Sequence, residues 1–374
     1  MARIQIGQVD EAILRAVNRL QYLTAAQLGR LLYPHARDEN RYVQRRLRRL
    51  AENDYLLRLR ELPTPRIGSA PHIFTLADQG RQHLSSRGVA LTSSYYRPSE
   101  ERQKARDNPF IEHTLAAVDV LVAAECLCRD TAVSMPRLLV ERQLKRMNVR
   151  VQPAGQPDAR PAAVIPDAWF ELVVTEDEPV YVALELDRGT EGQQHWRRKV
   201  ASLVAWADGP YREIFQADNL TVAVVVPSVA RRIQLSEWTH DELASIDQTS
   251  LADIFLFTEA SPVTTPPIEL FLFPLWYPAG AGIPVSLLDL PEDGQLLLSV
   301  GESSSSSEAP LAPPGEQLPP QPEAVDVPWD GVEREIEDVV EEETEDSMRP
   351  QEESDEDDFA WELMDDDEGG GLAR

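Results

Sequence analysis

The sequence predicts a mixed α/β protein that ends in an acidic, unpacked segment. Three observations carry that reading. Apolar residues recur at helical spacing through the first third of the chain. In the middle, helix-spaced stretches alternate with short strand-like runs, as in a mixed sheet flanked by helices. After about Gly301 the composition turns to Ser, Pro and acids.

The N-terminal elements come in a readable order. DEAILRAVNRL sets Ile13, Leu14, Val17 and Leu20 on one face of a helix. Thr24 precedes AAQLGRLL and Gln27 follows three residues later, the spacing of a capping box at a helix start. A third helix, about Asp38 to Asn53, carries Val43, Leu47 and Leu50 on its inner stripe. YLLRLRELP and PHIFTLADQG read as two strands joined by the Pro/Gly-containing TPRIGSA, and ADQGRQHL as a short closing helix. Three helices and a two-stranded hairpin, in that order, make a winged helix-turn-helix.

On the third helix, Arg41, Arg45 and Arg48 lie opposite the apolar stripe, with Gln44 and Arg49 beside them. Guanidinium forks suit phosphates and guanine edges, and an amide suits adenine. Arg66 in the joining loop and Arg58 and Arg60 on the strand before it extend the basic set. Double-stranded DNA is the expected partner.

Charge follows the same division. Of the formal net charge of -28, Met1 to Asp107 contributes 19 basic against 11 acidic residues. Glu302 to Arg374 holds 26 acids and three basic residues. The basic front suits a polyanion, and the acidic end repels itself and resists packing. Within it, DEDDFAWELMDDDE sets Phe359, Trp361, Leu363 and Met364 among acids, which suits either a partner-binding motif for a replication or mobilisation protein or a plain solubilising tail. The expected boundaries are 1–90 for the DNA-binding domain, 91–107 for a linker, 108–290 for an α/β domain and 291–374 for the disordered tail.

The two cysteines, Cys126 and Cys128, sit two apart in an apolar helix pattern and make no disulfide framework. No secretion signal is apparent, and no run reaches the roughly 18 apolar residues of a membrane span. The expected location is the cytoplasm, with no membrane partner.

The middle section holds the candidate chemistry. NPFIEHTLAAVDVLVAAECLCR reads as a helix, LLVERQLKR, AAVIPDAWFELVV and YVALELDR as strands, and GTEGQQHWRRKVASLVAWADGP as a helix. TVAVVVPS follows as a buried strand, SVARRIQLSEWTHDELAS as a helix and IFLFTEA as a last strand; the proline-broken FLFPLWYPAGAGIPVSLL reads as an irregular cover. Strand alternation puts Glu185 and Asp187 on one face, and Asp167 shares a face with Trp169 and Glu171. If the two strands form a hairpin, a turn centred at Glu176 sets Asp167 opposite Glu185, and a turn centred at Asp177 sets it opposite Asp187. Either register gathers Asp167, Glu185 and Asp187 into one patch. Crowded carboxylates repel unless a cation or a raised pKa relieves them, so a Mg²⁺ site is one reading and a solvated strand end paired with arginine is the other. Lys199 or Arg198 on the following helix is placed to point back to that end, and Glu141 to project toward it. His113 reads as a polar-face residue of its helix. There is no Gly-rich phosphate loop, no zinc-type Cys/His spacing and no serine nucleophile elbow.

LTAAQLGRLLYP, RRLRRLAENDYLLR, IFTLADQGRQHL, HTLAAVDVLVAA, IPDAWFEL, ALELDRGTE and WRRKVASLVAWA resemble the replication-relaxation family of bacterial mobile elements, over about Ile13 to Ser228. The resemblance implies a role in replication and relaxation of plasmid DNA by way of DNA binding. The second half also resembles the restriction-endonuclease-like fold, whose motif is P-D followed by D/E-x-K. That likeness implies Asp167 and Glu185 as the two acids, puts Asp187 where the lysine belongs, and makes Lys199 its replacement from the next helix. Two alternatives follow. One is a metal-dependent endonuclease or nickase using Asp167, Glu185 and Lys199. The other is a transcription regulator whose second domain senses a ligand or forms a homodimer.

Overall fold

A computed structural model describes residues 4–33, 39–60, 72–92, 110–174 and 179–289. The chain divides into two compact units, Met1–Ser306 and Ser307–Arg374, and all the described residues lie in the first. The expected tail from 291 onward, its aromatic motif, Arg66 and nearly all of the expected linker lie outside the described residues. The described part is mixed α/β, with helices packed on a mixed sheet.

The first elements are α1 (Gln8–Leu20), β1 (Leu23–Thr24), α2 (Ala25–Leu32), α3 (Glu39–Glu52), β2 (Leu56–Arg60), β3 (His72–Leu76) and α4 (Asp78–Ser86). β1 was not expected from the sequence; it adds two residues antiparallel to β3, giving a three-stranded sheet in the order β1-β3-β2. Ile13, Leu14, Val17 and Leu20 of α1 are buried together with Val43, Leu47 and Leu50 of α3. Thr24 caps α2 as expected: its hydroxyl accepts from the Gln27 amide, and its own amide donates to Gln27 Oε1. α4 lies so close to the turn between α3 and β2 that a Cβ at Gly80 would meet the Tyr55 carbonyl at 2.2 Å, so only glycine fits there.

The second group begins with α5 (Phe110–Asp130), an apolar helix whose Val118, Leu121 and Val122 are buried. Then follow β4 (Leu138–Val140), α6 (Glu141–Met147), β5 (Arg150–Val151), β6 (Ala162–Ala163), β7 (Ala168–Val173), β8 (Pro179–Leu186) and α7 (Gln193–Asp208). After these come α8 (Tyr211–Phe215), β9 (Thr221–Val225), α9 (Val229–Ser245), β10 (Phe255–Thr258), α10 (Pro267–Leu272) and β11 (Tyr277–Pro278). The six-stranded sheet has the order β11-β10-β9-β8-β7-β4. β8, β9 and β10 are parallel, and β4, β7 and β11 are antiparallel to their neighbours.

Two strand expectations change. LLVERQLKR is a strand only over Leu138–Val140 and then a helix, because Gln143 accepts from the Val140 amide and Leu144 turns into the core. AAVIPDAWFELVV splits into β6 and β7 around Pro166, whose ring has no amide to give a ladder. The expected irregular cover, which begins at Phe271, includes the last two residues of α10 and the edge strand β11.

The sheet's two faces are both buried. Ala168, Phe170, Val182, Leu184, Ala223 and Leu256 face the α5 side, in one core with the α1–α3 residues. Trp169, Ala183, Val222, Val224 and Phe257 share the other core with Trp196 and Val200 of α7 and Leu235 and Leu243 of α9. Gln27 reinforces the join between the N-terminal elements and α5, since its Nε2 donates to the Leu115 carbonyl at 3.1 Å and to Asp119 Oδ1 at 3.0 Å. The orientation of α3 relative to the large sheet is therefore set by buried contacts. Among the described residues no helix is long and apolar enough to cross a membrane.

Candidate functional site

Two surfaces match the residue types the sequence singles out: the outer face of α3 and the carboxyl end of β8.

On α3, Arg41, Gln44, Arg45 and Arg48 are exposed, and Val43, Leu47 and Leu50 on the opposite side are fully buried. The 3.6-residue period makes this separation unavoidable once the apolar stripe packs. Arg46 belongs to neither face. Its Nη1 donates to Asp10 Oδ1 at 3.1 Å and its Nη2 to the Tyr42 hydroxyl at 2.7 Å, which ties α3 to the start of α1. Asp10 is almost wholly buried, so Arg46 neutralises a charge that water does not reach. Arg49 is exposed, but its Nη2 donates to the Gln5 carbonyl at 2.7 Å and so secures the N-terminal segment. Arg58 on β2 is exposed as well.

At the end of β8 the hairpin register is that of the first expected turn. Ala168 pairs with Leu184 and Val173 with Pro179, so the next step sets Asp167 against Glu185. Asp167 is held by its surroundings: its Oδ2 accepts from the Leu186 amide at 2.7 Å, and its Oδ1 lies 2.7 Å from Nε2 of His113 on α5. Burial works against a charged His113, but the hydrogen bond and charge of Asp167, helped by Glu141, outweigh it and raise the imidazole pKa. His113 thus belongs to the cluster, which its position on a helix face did not signal.

Glu185 is 3% exposed, and burial pushes its carboxyl up to about 7 despite the nearby ammonium of Lys199. Lys199 reaches back from the second turn of α7. Its Nζ stands 3.1 Å from Glu185 Oε2 and 2.8 Å from Glu191 Oε1. Desolvation favours the neutral amine, but Glu185, Glu191 and Asp167 together outweigh it and raise the Lys199 pKa. Arg198, the other candidate to reach back, instead donates to the Arg160 carbonyl at 3.5 Å.

Asp187 does not join this group. Arg231 of α9 takes both its oxygens, Nε to Oδ2 at 2.7 Å and Nη2 to Oδ1 at 2.9 Å. The Gly189 amide adds a third donor at 2.9 Å, across a turn in which Gly189 has φ +86°. Glu141 pairs with Lys145 at 2.6 Å, and His195 is exposed on α7.

A divalent cation needs several oxygen donors around one point. Among the described residues no group of three or more Asp, Glu, His or Cys side chains is arranged to hold a metal. The cause is local. Arg231 draws off Asp187, the Lys199 ammonium lies between Glu185 and Glu191, and both Asp167 oxygens already face donors. Asp167, Glu185 and Asp187, as placed, do not fit a magnesium ion. The arrangement neutralises buried carboxylates with two cations and a histidine at the carboxyl ends of parallel strands, where open α/β sheets bind ligands.

Residues 14–216, just over half of the chain, match the family model described as replication-relaxation. No curated protein matches the chain, and no solved structure does.

Proposed function

We propose that this chain, which belongs to the replication-relaxation family, is a DNA-binding protein of plasmid or mobile-element replication or relaxation. It grips duplex DNA through a winged helix formed by residues 1–90, with α3 as the recognition helix. A nuclease-like second domain, residues 108–290, stands behind it. The observation that carries this reading is the exposed row Arg41, Gln44, Arg45 and Arg48 on a helix whose other side is buried. Four donors on one rigid face match what phosphates and base edges in a major groove accept.

The test is duplex binding followed by fluorescence anisotropy across a salt series. Arg45→Ala with Arg48→Ala should weaken binding by about 1–3 kcal/mol per lost base contact, or lower the salt slope by about one for each lost phosphate contact. Unchanged affinity and slope, in a variant that still folds, overturn the assignment of α3.

The endonuclease or nickase alternative has one observation in its favour: Lys199 supplies from α7 the cation that Asp187 displaces from the motif, 3.1 Å from Glu185. Against it stands the donor geometry just described. Supercoiled plasmid incubated with Mg²⁺ or Mn²⁺ decides between them. Nicking that disappears in Asp167→Ala establishes the enzyme; intact plasmid leaves the strand end as a charge-compensated relic of such a site.

A further inference from the structure

The second half of the described chain holds a basic segment that the α3 reading does not use. From Asn108 to Gly301 there are 14 basic and 27 acidic residues, net -13. Five of those 14 cations fall between 142 and 164, against a single acid, Asp158. The segment comprises α6, the two-stranded β5–β6 ladder and the start of the link to β7.

Its scaffold is fixed. Leu144, Val151 and Val164 are buried in the core beneath α7 and α9. Arg150 pairs with Ala163 across the ladder, and the Val164 amide donates to the Val149 carbonyl. Gln152 Nε2 closes the intervening loop on the carbonyls of Gln156 and Ala159. The loop tip rests on Ile246, just past the end of α9: a Cβ at Gly155, with φ +71°, would meet it at 2.6 Å.

Four cations on or beside this scaffold face water without carboxylates. Arg146, Arg150, Arg160 and Arg198 are all exposed, and among the described residues none of them has an acidic partner. Two contacts hold them in pairs, with the β5–β6 ladder between the pairs. Arg150 Nε lies 3.4 Å from Asn148, which ends α6 in a left-handed turn, and Arg198 donates to the Arg160 carbonyl at 3.5 Å. Partial desolvation, and after it the charge of the adjacent Arg142, push the Arg146 guanidinium pKa down. Arg142 in turn lines a small cleft with Asn18, Gln21, Thr75 and Arg81, so the segment runs up to the N-terminal elements.

Like charges held together on a rigid surface, in a region otherwise acidic, create a local positive field that a polyanion relieves. We infer that Arg146, Arg150, Arg160 and Arg198 form a second contact surface for the phosphate backbone of duplex DNA, continuing the hold of the α3 module. The contacts are to phosphates and not to bases, since Arg146, Arg150 and Arg160 stand on a short helix, a two-residue ladder and a loop, none of which is shaped to enter a groove, and Arg198 on α7 is tied to that loop at the Arg160 carbonyl. The inference rests on the duplex-DNA reading above.

The experiment uses the full chain and two double variants, Arg146→Ala/Arg150→Ala and Arg45→Ala/Arg48→Ala. Anisotropy is read on duplexes of two unrelated sequences from low to moderate salt. The first variant should bind both duplexes about tenfold more weakly, with a salt slope lower by about two and unchanged preference between them. Arg146→Lys/Arg150→Lys should restore most of the affinity, because a phosphate needs the charge more than the fork. If the first variant binds like wild type while the α3 variant is weakened, the second surface is refuted and the α3 reading stands. If wild type binds neither duplex, both fall. Weakened binding to single-stranded RNA with duplex affinity intact also overturns the inference. Thermal melts of each variant separate lost contacts from lost fold.

Discussion

Nζ of Lys199 stands 3.1 Å from Oε2 of Glu185, the ammonium of one helix meeting a carboxylate sealed at the end of a central strand. Glu185 is not left as a lone buried charge, and Glu191 shares the same ammonium from the loop between them. Lys199→Met keeps most of the stem but removes the cation. It should lower stability by on the order of 2 kcal/mol at neutral pH, below the ~3–5 kcal/mol for breaking a fully buried pair. The smaller figure follows because Lys199 is partly exposed and Glu185 can take up a proton. Urea unfolding measures it, and a variant as stable as wild type would show that the pair does not support the fold.

Arg231 and Asp187 form the more enclosed pair, with side-chain exposures of 10% and 0%. Arg231→Ala strands the carboxylate and should cost about 3–5 kcal/mol. Arg231→Lys should recover only part of this, because one ammonium cannot reproduce two parallel N–H···O bonds. If Lys restores full stability in thermal and denaturant melts, the fork geometry is unimportant.

Stability should fall as pH rises through neutrality. Glu185 titrates at about 7 in the folded chain instead of its ordinary 4.5, so between those values the folded state binds the proton that the unfolded state has lost. Stability contributed by that proton is fully present below about 4.5 and is lost by the time pH passes 7. His113 acts in the same direction, since its raised pKa gives stability that is lost as pH rises through the folded value. Glu185→Gln removes the first contribution, so its stability relative to wild type should improve as pH goes from 5 to 8. Parallel curves for the two proteins would contradict this.

Gln27 should act as a joint. Its amide completes the α2 cap and also bonds the Leu115 carbonyl and Asp119 on α5. Gln27→Ala leaves buried donors and acceptors without partners and should cost about 1–3 kcal/mol. Thr24→Ala, which loses the cap hydroxyl alone, should cost about 1 kcal/mol. Hydrogen exchange distinguishes the two: the first should raise exchange at the start of α5 as well as α2, the second only in α2.

Much of this was legible in the residue order because it is local. A 3.6-residue period assigns Val43, Leu47 and Leu50 inward and the arginines outward whatever the rest of the chain does. The Thr24–Gln27 cap spans three residues. Hairpin arithmetic reduced the placement of Asp167 to two registers, and burial of Ala168, Phe170 and Leu172 on one face accompanies the one that sets it beside Glu185. Helix and strand were confused at ERQLKRM, where a short apolar run fits both periods until Leu144 finds its core.

The charge pairing lay beyond any local pattern. Arg231 reaches Asp187 from a helix 44 residues on, and His113 reaches Asp167 from one 54 residues before. No periodicity encodes those distances; sheet order does, by placing β9 beside β8 and α5 across its end. Asp187 looked like a metal ligand because strand alternation placed it with Glu185, and it is an arginine's partner because a parallel neighbour delivered Arg231 first. Composition and period settled which residues would be buried or exposed, while the packing of distant elements settled which buried charges would meet.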